Sequence, residues 1–259
     1  MPHVSVGAAD VSYGVAGSGP GLVLVHGTGS SAAGTWGHLL DRFTGEWTVV
    51  TPDLPGSGGT SDPGGPLLLD DLSAQVAGAA HAAGLDDYAV VGFSLGAAVA
   101  AAVAAAQADH VRAVVLVAGA DSATGTRSRL QFELWRDLHS ADPALFARLW
   151  MLTGFSPSFV DAIPVNQIAR AATFPIAPGL ERQCDLNARI DLRELAPAVR
   201  APALVLGCTH DSIVPVERVR ALAPAIEGAV YDELDCGHLA VLEAPDALAD
   251  RVCAFLRGA

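Results

Sequence analysis

Five short runs rich in Val and Leu recur along the chain, Leu22 to His26, Trp47 to Thr51, Tyr88 to Phe93, Ala113 to Ala118 and Ala203 to Gly207, each closed by Gly, Pro, Asp or Ser. Runs that are apolar on both faces suit strands buried in a parallel sheet. Between them lie Ala-rich stretches with helical spacing, at Leu67 to Ala83 and Leu95 to Gln107, and Val4 to Val6 with Val11 to Ala16 reads as a hairpin feeding the sheet. This alternation predicts an α/β fold, a mostly parallel doubly wound sheet whose functional site lies at the carboxyl ends of the strands.

One segment breaks the rhythm. From Asp121 to Ile190 no strand-like run occurs, only helical pieces such as Arg129 to His139 and Pro143 to Leu152, interrupted by Pro157, Pro164, Pro175 and Pro178. The segment balances seven Arg against seven acids, while the rest of the chain sets 8 Arg against 21 acids and so carries the whole net charge of −13. Seven of the fifteen aromatics also fall there: Phe132, Trp135, Phe146, Trp150, Phe155, Phe159 and Phe174. We therefore expect a core domain built from 1–120 and 191–259, with 121–190 forming a helical cap (lid) over a pocket. The bland reading of each aromatic is that it glues the insertion to the sheet.

The chemistry is announced by Gly92-Phe93-Ser94-Leu95-Gly96, directly after the run Tyr88 to Val91. A Ser at a sharp strand-to-helix turn exposes its hydroxyl, and only small neighbours let the turn close. The amino-terminal end of the following helix favours developing negative charge at the same spot. A serine nucleophile needs a base. Of the eight His, His238 follows the last strand-like run, Ala229 to Leu234, and so falls on the edge of the sheet where Ser94 lies. Asp211, after the preceding run, is placed to orient it; Asp121 ends another strand on the same edge and competes for that role. His210 beside Asp211 is read as a neighbour and not the base. The second oxyanion donor, besides the Leu95 amide, is expected from His26-Gly27-Thr28-Gly29, with Thr28 preferred and Gly29 next. His26 itself is read as a brace for that loop.

Four motifs then stand in one order: His26-Gly27, Asp53-Leu54-Pro55-Gly56 with Ser61-Asp62, the elbow at Ser94, and Asp211 with Val214-Pro215 ahead of Gly237-His238 and Glu243-Ala244-Pro245. Over nearly its whole length the chain resembles the α/β-hydrolase superfamily, and most of all its capped enol-lactonase, C–C hydrolase and esterase branch. That resemblance implies an α/β-hydrolase fold, a triad of Ser94, Asp211 and His238, oxyanion amides at Thr28 and Leu95, and no cofactor. The elbow residue is Ser and not Asp, which argues against haloalkane dehalogenases and epoxide hydrolases. Gly56 to Ser61 is one residue longer than the usual Gly-rich turn, which puts the shape of the pocket edge in question.

The expected activity is that of a serine esterase or lactonase: cleavage of an ester, lactone or related carbonyl bond of a small, largely apolar molecule through an acyl-enzyme. Trp36, Phe93, Trp135 and Trp150 are the candidate pocket residues, and Arg127, Arg129 or Arg170 is a candidate anchor for a substrate carboxylate. Rival readings are a biosynthetic thioesterase, a cofactor-free cyclase, lyase or oxygenase on the same scaffold, and a ligand receptor with vestigial activity.

Composition supplies the exclusions. All fifteen cationic side chains are Arg and none is Lys, which removes Schiff-base aldolases, pyridoxal enzymes and P-loop NTPases. An acidic surface repels phosphates, so nucleic acid is not an expected partner. The Ala-rich stretch Leu95 to Ala106 is too short and weak for a membrane span, and Met1 is followed by no leader-like pattern, so the expected location is cytoplasmic and the expected partner a small-molecule substrate, with the chain a monomer or homodimer. Cys184, Cys208, Cys236 and Cys253 show no ligand-like spacing, so we expect four idle thiols and no metal.

Overall fold

The computed structural model describes residues 1–62, 64–167 and 175–259. The strands are β1 (His3–Val6), β2 (Ala9–Ala16), β3 (Gly21–Val25), β4 (Thr48–Pro52), β5 (Tyr88–Phe93), β6 (Val111–Val117), β7 (Ala203–Cys208) and β8 (Val230–Leu234). They form one sheet in the order β1-β2-β4-β3-β5-β6-β7-β8. β1 and β2 make the antiparallel hairpin, β2 runs antiparallel to β4, and every later pairing is parallel.

Because side chains alternate across a strand, the sheet sorts its apolar residues onto two faces. Val23, Val25, Val90, Val114, Leu116 and Val205 point to one core. Leu22, Leu24, Val91, Val115, Leu204 and Leu206 point to the other. The first is covered by α3 (Leu69–Ala82), α4 (Leu95–Ala106) and α9 (Val216–Leu222), the second by α1 (Ala32–Trp36), α2 (Asp41–Thr44), α10 (Ala240–Glu243) and α11 (Pro245–Gly258). Every residue of α4 from Leu95 to Ala104 is buried. Its run of Ala lets the helix axis lie close to the sheet, so that a Cβ at Gly96 would strike the carbonyls of Val25 and His26. No helix among the described residues is long and apolar enough to cross a membrane.

Between β6 and β7 stand α5 (Thr126–Ala141), α6 (Pro143–Gly154), α7 (Pro157–Asp161) and α8 (Leu180–Asn187). Pro157 opens a helix and does not break one: Asp142 and Ser156 accept hydrogen bonds from the first amides of α6 and α7, and Pro143 and Pro157 take the first helical positions, where no N–H is needed. The ends of the segment are tied together by Ala123 N–H to Ile190 O (2.8 Å) and Leu192 N–H to Asp121 O (2.8 Å). Phe132, Trp135, Phe146, Leu180 and Cys184 form a separate small core with Ile213 of the sheet domain. Arg170 and Phe174 lie outside the described residues.

Candidate active site

Ser94 sits between β5 and α4 with φ 56° and ψ −116°, a left-handed backbone that costs a non-Gly residue free energy. The turn can be held only because its flanks lack side chains: a Cβ on Gly92 would collide with the Gly96 carbonyl, and one on Gly119 would come within 2.6 Å of the Ala97 Cβ. The hydroxyl faces His238, whose Nε2 is 2.9 Å from Ser94 Oγ. On the other side of the ring, Nδ1 is 2.7 Å from Asp211 Oδ2. Asp211 accepts only, so Nδ1 carries the proton and Nε2 is left as the acceptor facing the serine. Asp211 Oδ1 takes the amides of Ile213 (2.8 Å) and Val214 (2.7 Å), so both carboxylate oxygens are spent and the side chain cannot turn away.

The competing carboxylate goes elsewhere. Asp121 pairs with Arg218 Nε at 3.0 Å, without the alignment of a hydrogen bond, and does not meet His238. His210 points out to Asp235 (2.9 Å). His38 bonds the Val241 carbonyl, His110 that of Asp86, and His139 packs on Phe146. His26 is fully buried; its Nδ1–H donates to Gly27 O (2.8 Å) and its Nε2 accepts from Leu54 N–H (2.9 Å). Burial pushes its pKa below the ordinary histidine value, which suits a neutral brace.

The loop after β3 is fixed by residues that sequence reasoning missed. Gln183 of α8, fully buried, accepts from Gly29 N–H (2.7 Å) and donates to Ser57 Oγ (3.0 Å) and Pro55 O (3.2 Å). With its amide spent on Gln183, Gly29 is a poor second choice as oxyanion donor. Asn187, one turn on, donates to Thr28 Oγ1 (2.6 Å). Leu95 opens α4, so its N–H has no intrahelical carbonyl. Gln183 and Asn187 are four residues apart on one helix face, a weak signal, and their partners lie more than 120 residues away in sequence.

A cavity of about 40 Å³ adjoins Ser94 and Leu95, walled by small and apolar residues such as Ala98, Ala118, Ile190 and Phe132, with Ser122, Ser128, Asn187 and Arg218 as further polar members. None of the four aromatics expected in the pocket lines it. Trp36 is fully buried against the opposite sheet face with Leu22, Leu24 and Phe43, and Trp135 packs edge-on to Phe132 and Phe146 inside the small core. Phe93 backs the His238 ring at 5.2 Å and fills the space beside Gly27, and Trp150 packs between the small core and the sheet. The aromatic wall is Phe132 instead. The long Gly-rich turn does not reach this cavity either: Gly56 packs on Gly179, and Asp53 takes the amides of Ala32 and Gly59, so the turn braces the insertion. Of the candidate anchors, Arg127 binds the carbonyls of Ser212 and Ile213, and Arg129 pairs with Glu133 at 3.0 Å.

The His238 loop is stitched to the insertion. Gly154 O accepts from Leu239 N–H (2.7 Å), and Glu243 gathers the amides of Ser156 (2.9 Å) and Gly237 (3.0 Å).

A profile described as the alpha/beta hydrolase family matches residues 22–251. A pyrrolizixenacetamide deacetylase of Xenorhabdus hominickii is 45% identical over 253 residues, 95% of this chain and 94% of that protein. A pimeloyl-[acyl-carrier protein] methyl ester esterase of Xanthomonas campestris pv. campestris is 28% identical, covering 93% of this chain and 97% of its own. Among solved structures, the enol-lactonase of Burkholderia xenovorans LB400 superposes with a TM-score of 0.85 at 27% identity, over 99% of this chain and 100% of that one.

Proposed function

The chain belongs to the alpha/beta hydrolase family, and on that premise we propose that it is a serine hydrolase that cleaves an ester, amide, lactone or related carbonyl bond of a small molecule by way of an acyl-enzyme. The observation that carries the proposal is the unbroken line from Asp211 Oδ2 through both ring nitrogens of His238 to Ser94 Oγ, at 2.7 and 2.9 Å. In this reading His238 Nε2 takes the Ser94 proton as the hydroxyl attacks the carbonyl carbon, and Asp211 stabilises the imidazolium that forms. The Thr28 and Leu95 amides receive the oxyanion. His238 then hands the proton to the leaving group, and water resolves the acyl-enzyme by the same relay run again. Residues 121–190 serve as the cap.

The size of the cavity narrows the acyl group. About 40 Å³ accepts roughly three water-sized spheres, which favours a short acyl group such as acetyl. The 45% relative is named as a deacetylase of an acetamide, which supports the same choice. The test is labelling with a fluorophosphonate followed by turnover of p-nitrophenyl acetate, butyrate and octanoate. We expect one label on Ser94, fastest turnover of acetate, and a loss of about 10⁴-fold or more in kcat for Ser94→Ala. No labelling and no ester turnover would instead favour a lyase, oxygenase or receptor role.

A further inference from the structure

A second, much larger hollow of about 800 Å³ opens between the loop Gly65–Leu67, α5 and α8. Four Arg face it, Arg129, Arg136, Arg182 and Arg189, against two carboxylates, Glu133 and Asp185. In a chain whose net charge is −13, this cleft gathers four of the fifteen Arg. Three of the Arg are paired with carboxylates: Arg129 with Glu133, Arg136 with Asp137 and Asp185, and Arg182 with Asp62. Arg189 differs. It is exposed, and its guanidinium donates to carbonyl oxygens, Asp185 O and Leu67 O, both at 3.0 Å, and among the described residues it joins no ion pair.

The cleft and the Ser94 cavity share a wall. Phe132 lines both, and along α8 and beyond, Asn187 and Ile190 face the inner cavity while Ala188 and Arg189 face the cleft. An inner cavity of about 40 Å³ leaves most of a substrate to lie outside it, and the cleft is one side chain away. A substrate spanning the two displaces the Phe132 ring, which packs edge-on to Trp135 at 5.6 Å.

We propose that this cleft is the subsite for the leaving-group half of the substrate, and that this half carries a carboxylate received by Arg189 with Arg129 beside it. The proposal rests on the reading of Ser94 as nucleophile. A guanidinium offers a fork of N–H donors that matches two carboxylate oxygens, and Arg189 is exposed where the cleft can present it.

The probes are the O-acetyl ester of 3-(4-hydroxyphenyl)propionate and that of the matching primary amide. Two methylenes insulate the phenol from the charge, so the intrinsic reactivity of the esters is alike. We expect kcat/KM for the anionic ester to exceed that for the neutral one by about tenfold at low ionic strength, with the ratio falling as salt is added. Arg189→Gln combined with Arg129→Gln should bring the ratio close to one, chiefly through KM of the anionic ester. Arg251→Gln, on an exposed pair with Asp232, should leave it as in the wild type. The ratio is taken within each preparation, so partial misfolding of a variant does not alter it. A wild-type ratio of one or less, or a ratio unmoved by the double variant, overturns the proposal. If neither ester is cleaved, or if Ser94→Ala cleaves both, the fault lies in the reading of the nucleophile.

Discussion

At the scale of single residues, the choice between Asp121 and Asp211 shows what a sequence conveys and where it stops. Both end a parallel strand on the same edge, so spacing alone admits either. What separates them is lateral order: the loop after β8 carries His238, and β8 lies beside β7, whose end leads to Asp211, while Asp121 follows β6 and is met by Arg218 of α9. We expect Asp211→Asn to lower kcat by about 10⁴-fold, since the amide would favour the wrong imidazole tautomer. Asp121→Asn should change kcat less than about tenfold while lowering the melting temperature, because it unbalances Arg218. Steady-state kinetics of the two variants on p-nitrophenyl acetate decide the matter, and the reverse ranking would reassign the acid. The four expected aromatics stand away from the cavity at Ser94 for a different reason. Trp36 follows the loop after β3 in sequence, but nothing in a short helix says which face of the sheet it covers.

At the scale of elements, strand and helix positions were legible to within a residue or two because apolar periodicity is local: Trp47 to Thr51 became Thr48–Pro52, and Leu67 to Ala83 became Leu69–Ala82. The function of α8 was not legible, because it is exercised through two carboxamides acting on partners far along the chain. Gln183 holds Gly29 and the Gly-rich turn, and Asn187 holds Thr28. A helix of the insertion thus sets the shape of the loop after β3. Asn187→Ala should lower kcat by about tenfold with little change in KM, as expected of a group that positions an oxyanion donor. Thr28→Val, which also breaks the 2.6 Å contact, should give a similar loss, and the double variant should lose no more than the worse single one. Full additivity in that cycle would mean that the two side chains do not act through each other.

At the scale of the molecule, the two sheet cores are broad and continuous, while much of the insertion packs in a small core shared with Ile213, and that difference should be visible in stability. Cys208 ends β7 and Cys236 follows β8, both fully buried on the sheet, whereas Cys184 belongs to the small core. All three thiols are buried. Burial pushes the Cys184 pKa up to about 12, and a hydrogen bond to Cys236 together with burial raises that of Cys208, so little reactive thiolate forms at Cys184 and Cys208. Labelling therefore reports opening. Local opening of a unit held by few apolar contacts costs less than global unfolding. In a Cys253→Ala background at pH 8, which removes the thiol of the last helix, Cys184 should react with a disulfide reagent well before Cys208 and Cys236, and those two should react together at the rate of global unfolding. A single common rate for all three would mean that 121–190 does not open apart from the sheet, and access to Ser94 would then have to come from movement of side chains such as Phe132 within a closed backbone.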